Sequence, residues 1–188
     1  MVSQLLPFMA AASLGLLAGA LLAEDRLLLP YARTLSADAF YALHPSIGPS
    51  LYRFFAPLTT AAPLAAALAA IQIVLQSGGL GARSTVAITA AVLAWSLVAI
   101  YMVYFRSAND AFARHAVSAE DLPAALARWA GWHRARVLIC LAAFALSLAA
   151  KGRSLEGASL SEMDALWDEA KGTERPAEPT TTTQAGRR

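Results

Sequence analysis

Three stretches of this chain carry no charged residue: 1–23, 54–82 and 84–105. Each is long enough to cross a hydrocarbon core of about 30 Å as a helix of roughly 20 residues. Backbone groups inside lipid must satisfy their hydrogen bonds within the segment, so runs of this kind are helices. A fourth uncharged run, 137–150, is shorter. Its flanks extend it, because Arg134 and Arg136 on one side and Lys151 and Arg153 on the other can snorkel to the headgroups. Trp129 and Trp132 stand where an interfacial aromatic belt belongs. The expected fold is therefore all-α: an integral membrane four-helix bundle with spans near 3–23, 56–77, 84–106 and 134–151. Composition agrees, with 57% hydrophobic and 15% charged residues and a mean hydropathy of +0.50. Soluble domains sit near 45–50% apolar and about 25% charged, so an ordinary soluble enzyme is excluded. A disulfide scaffold is excluded as well, since Cys140 is the only cysteine.

The first run could also be read as a secretory signal peptide with Ala18, Gly19 and Ala20 at the cleavage site. Residues 1–10 contain no Lys or Arg, however, and so lack the basic start of such a peptide. Ala11, Gly15, Gly19 and Ala23 recur every fourth residue, which predicts a small-residue face on which another helix can pack closely. Four spans put both termini on one side. That side carries seven Lys and Arg residues and the other carries eight, so charge does not orient the bundle.

No basic stripe interleaved with aromatics supports nucleic-acid binding. Glycine-rich phosphate loops, Cys/His zinc spacings and nucleophile elbows are also missing from the sequence. Chemistry has to come from the two longer loops, 24–55 and 107–133, and the helix ends beside them. In the first loop Ser36 caps a short helix through Leu43, which Pro45, Gly48 and Pro49 are expected to break. From Leu122 a helical stretch runs without a break into the fourth span. Trp129, His133 and Arg136 follow it at i, i+4 and i+7, on one helix face at the membrane boundary. A belt explains Trp and Arg but does not call for a histidine on the same face.

These residues carry a resemblance. Gly15 to Ala20, Ala39 to His44 and Ala56-Pro57 fall, in order, before Asn109, the run Arg128 to Arg136, and Leu141 to Phe144. Over roughly residues 10–150 the chain resembles the anthrone oxygenase-like membrane proteins, small four-helix proteins that are mostly uncharacterised in bacteria. Family members often carry Pro-x-Asn before the matching asparagine, where this chain has Ser107-Ala108-Asn109, and Pro45 after His44 is atypical. The resemblance implies oxidation of an anthrone, a flat and apolar molecule, by molecular oxygen, and the residues themselves suggest a chemistry that needs no metal or flavin. His133 would remove a proton, Arg136 would hold the resulting anion, and Asn109 would donate to a carbonyl oxygen. Trp129, Trp132 and His44 would line the substrate. The alanine-rich composition suggests a bacterial source, and so an inner-membrane setting with the lipid bilayer as partner.

Two other readings stay open. His44 and His133, on the same side of the membrane, could ligate a haem or a copper ion. Alternatively the chain is a non-catalytic subunit that packs on a helical partner or a second copy of itself. The segment 152–188 is a separate polar tail with seven of the thirteen acids. Residues 159–171 fit a short amphipathic helix with a Ser159–Glu162 capping box, and the remainder reads as disordered.

Overall fold

The computed structural model describes residues 4–151. Among them all regular structure is helical. Helix α1 (Leu5–Ala23) continues through a π-helical turn (Glu24–Leu28) into α2 (Leu29–Ala32). Helix α3 spans Ala37–Gln76, and α4 (Ala82–Ile100) passes through a second π turn (Tyr101–Phe105) into α5 (Arg106–Ala113). Helix α6 covers Leu122–Lys151. The tail from residue 152, with the expected helix over 159–171, lies outside the described residues.

The long helices form a ring in which α1 and α4 each pack on both α3 and α6. The core is made mainly of small side chains. Ala62, Ala66 and Ala70 of α3 meet Ala87, Ala91 and Ala94 of α4, with Leu14, Leu17 and Leu21 of α1 and Val137, Cys140 and Ala143 of α6. Larger apolar residues such as Leu16, Leu75, Val92, Trp95 and Leu138 face outward. Small inside and large apolar outside is the pattern of a bundle whose surroundings are as apolar as its core. Four helices are long and apolar enough to cross a membrane, and the protein is an integral membrane four-helix bundle.

At the end bearing Leu5 and Lys151, Arg83 Nε donates to the Ala150 carbonyl at 2.8 Å, and Lys151 Nζ lies 5.0 Å from the Phe8 ring. The 77–81 connection and both described ends therefore meet on one side, as four spans require.

The small-residue face of α1 is half realised. Ala11 is buried, and a Cβ on Gly15 would lie 3.0 Å from Phe144 Cε2, whereas Gly19 has nothing within 4 Å and Ala23 is exposed. A four-residue step advances about 40° past a full turn. The stripe therefore drifts off the contact face, and Leu14, Leu17 and Leu21, at alternating three and four, take it over. Gly15→Val is expected to destabilise the bundle by about 1–3 kcal/mol through overpacking, while Gly19→Val changes little. Thermal unfolding of the two variants in detergent checks this, and equal melting temperatures would contradict it.

Residues 24–55 are not a loop. Ser36 does cap the helix, accepting from Ala39 N–H at 3.3 Å, but α3 then runs unbroken through Pro45, Pro49, Pro57 and Pro63. A proline inside a helix costs about 3 kcal/mol, and here packing at both ends offsets it. The C-terminal half of α3 lies in the bundle core, and Phe40 near its start packs with Phe112, Leu122 and Leu126. Tyr41 adds an O–H donated to the Val117 carbonyl at 2.7 Å and a stack on the His115 ring. Pro45, Pro49 and Pro57 lie on the exposed side of the helix.

Candidate functional site

At the end of the bundle away from the termini, α1, α4 and α6 bring together a set of polar groups that the apolar spans would otherwise exclude. Helix α6 contributes Trp129, His133 and Arg136, whose spacing does place them on one face, turned into the bundle. His133 is fully buried and Arg136 is 6% exposed. The π turns supply the facing groups. In each, the next backbone N–H bonds five residues back, Leu29 to Glu24 and Arg106 to Tyr101. In an ordinary helix Phe105 would lie about 80° around from Leu97, eight residues earlier. The wider turn instead brings both to the buried side. π turns of this kind are frequent at functional sites.

His133 is the centre of the cluster. Its Nε2 is 2.9 Å from the Leu21 carbonyl oxygen. A carbonyl only accepts, so Nε2 carries the hydrogen and, in the neutral ring, the lone pair lies on Nδ1. Nδ1 has no hydrogen-bond partner and faces Glu24 Oε2 at 3.8 Å. The Trp129 ring stacks on the imidazole at 5.0 Å between centroids and 11° between planes. Trp129 Nε1 donates to Asn109 Oδ1 at 2.9 Å, which fixes the indole and leaves the Asn109 amide hydrogens free to serve as donors. The Arg136 guanidinium lies 4.6 Å from the Phe105 ring centroid, and Phe105 in turn meets Trp129 edge-on at 5.1 Å. The Arg136 charge also acts on Glu24. Asp25, nearly buried, has its carboxylate 3.4 Å from Arg26 Nε and 3.6 Å from Arg134 Nε.

No protein-family model, curated protein or solved structure matches the chain.

What the cluster can do follows from its own chemistry. It holds an imidazole with a free lone pair and a permanent cation, both buried, with a carboxylate and an amide donor that are partly buried. Four of the six residues singled out in the sequence, Asn109, Trp129, His133 and Arg136, come together here. Trp132 does not join them. It is 42% exposed and stacks on Tyr104 at 5.3 Å, on the outer surface. The His44 ring touches Phe40 and Phe112, and among the described residues no ring contact joins it to His133. Among the described residues, no group of three or more His, Cys, Asp or Glu is placed to hold a metal ion.

Glu24 and Asp25 are the members that sequence reasoning missed. They follow the uncharged run 1–23 directly and read as the first loop charges. The signal for them was the lack of any helix-breaking residue between Ala23 and Pro30, which lets α1 carry both acids one turn beyond Leu21.

Proposed function

We propose that this protein is an oxidoreductase of the bacterial inner membrane, similar to anthrone oxygenases. Its substrate class is the flat, apolar, phenol-type ring system that partitions into a bilayer. The observation that carries the reading is the unpartnered Nδ1 of His133, a base within a dry site beside a fixed cation. In the proposed reaction Nδ1 takes a proton from the activated methylene of an anthrone, leaving an aromatic enolate whose charge Arg136 balances. The Asn109 amide donates to the carbonyl oxygen. The enolate passes electrons to oxygen, a carbon–oxygen bond forms, and water leaves as the second carbonyl appears. One anthrone and one O2 thus become one anthraquinone and one water. Trp132 and His44, outside the cluster, fit a role in guiding the substrate rather than in the chemistry.

Oxygen uptake by the full chain in lipid nanodiscs, with anthrone added, tests this. The expected result is uptake well above empty nanodiscs, with one anthraquinone formed per O2 consumed. Uptake equal to that of empty discs would defeat the proposal. The reaction as written uses no metal or flavin, and a haem, copper or flavin absorption band in protein purified from membranes would overturn that part.

The complete enclosure of His133 favours a second reading. In it the cluster is a closed polar lock within a non-catalytic membrane subunit that packs on a helical partner or on itself. Under that reading no substrate produces uptake, and changes at His133 move stability alone.

A further inference from the structure

Glu24 belongs to none of the motifs read from the sequence, yet its carboxylate faces the free nitrogen of His133. We propose that Glu24 is a positioning residue of the site, which shares a proton with Nδ1 of His133. This rests on reading His133 as the proton-accepting group.

The geometry leaves Nδ1 few other options. The Leu21 carbonyl holds Nε2, and Trp129 covers one face of the ring. Glu24 Oε2 stands 3.8 Å from Nδ1, with the Glu24 side chain 12% exposed and that of His133 fully buried. A buried polar atom left unpaired costs about 1–3 kcal/mol. With a proton on either the Glu24 carboxyl or Nδ1, a small rotation of the Glu24 side chain closes the gap to a hydrogen bond of about 2.8 Å.

The charges around the pair make a shared proton tolerable. From α6, the Arg136 guanidinium is the positive charge that acts on Glu24. When Nδ1 takes a proton from substrate, the imidazolium forms beside Glu24 and within the field of Asp25. Asp25 itself lies against Arg134 and Arg26, both largely exposed. Tyr101 and Cys140 are the remaining titratable groups, and they face Arg136. The cluster therefore gains one positive charge next to two carboxylates, and no bare charge is left in the bundle. A carboxylate that served Arg136 alone would have no reason to lie against Nδ1.

The test uses the full chain, labelled with 15N at histidine, in lipid nanodiscs at neutral pH. The His133 signals are assigned by their loss in His133→Ala. Glu24→Gln keeps a donor for Nδ1 but cannot exchange a proton, and Glu24→Leu offers none. The proposal expects a hydrogen-bonded Nδ1 in the wild type and in Glu24→Gln, and a free lone pair in Glu24→Leu. Nε2 should stay protonated in all three. With anthrone, kcat should fall on the order of 10²-fold in Glu24→Gln with KM little changed, and Glu24→Asp should recover part of it. An Nδ1 signal identical in the wild type and Glu24→Leu overturns the pairing. Should the leucine variant not accumulate, Glu24→Asp must shift the Nδ1 signal, and an unmoved signal overturns it equally. Unchanged kcat in Glu24→Gln, where the wild type turns over, overturns the role in the reaction. If the wild type consumes no oxygen, the oxidase reading fails, while the nitrogen spectra still decide the pair.

Discussion

Replacing His133 with alanine is expected to lower anthrone-dependent oxygen uptake by about 10²–10⁴-fold, the range that a positioned general base contributes. The bundle should survive the change. His133 donates one hydrogen bond, to the Leu21 carbonyl, and Leu21 itself is held by the core around Leu14, Leu17 and Ala18. Loss of that bond and of the Trp129 stack should cost about 1–3 kcal/mol, which helical circular dichroism and thermal unfolding can follow. Trp132→Ala provides the contrast. Its ring lies on the outer surface against Tyr104, so uptake should stay within about one order of magnitude, below the range for the base. Full turnover in the alanine variant of His133, with the protein folded, would remove the base from the mechanism. A loss of folding in parallel with the loss of uptake would favour the closed, non-catalytic cluster instead.

The second large effect is on stability. Arg136→Met should destabilise the protein by about 1–3 kcal/mol, because it removes from a buried position the positive charge that acts on Glu24. The guanidinium also rests over Phe105, so part of the loss is packing. Glu24→Gln in the same protein should recover most of the loss, since removing both charges of a buried pair is often close to neutral. A double-mutant cycle on unfolding in mixed micelles reads this directly. Additive effects of the two changes would show that Glu24 and Arg136 do not act on each other.

The site was partly legible for a specific reason. Trp129, His133 and Arg136 lie on one helix, and a helix fixes the relative direction of its own side chains from spacing alone. Asn109 comes from another element, and only the resemblance pointed to it. In the structure it holds the Trp129 indole through Oδ1. Trp132 and His44 lie apart from the cluster, and sequence order says nothing about which neighbouring helix a side chain meets. Trp132 differs from His133 by one position, and one position is about 100° of rotation. Glu24 was hidden by a boundary. A charge that ends an uncharged run reads as the start of a loop, whereas α1 continues without a break into the π turn that opens at Glu24. Pro45 and Pro49 misled in the opposite direction. Local preference argued for a break, and packing of Phe40 and Tyr41 against the α5–α6 region outweighed it.

By itself the sequence determined that this is a helical membrane protein with four spans and both ends of the bundle on one side. Uncharged runs of sufficient length have few other physical outcomes, because a backbone in lipid must bond to itself. It also determined which residues of α6 share a face, Trp129, His133 and Arg136 among them. Only the tertiary structure decided what that face meets. Helix α1 continues past Ala23 and brings Glu24 to His133 and Asp25 to Arg134, and the second π turn brings Phe105 to Arg136. Helix phase at a contact is set by the packing of all four helices together, and no single segment encodes it.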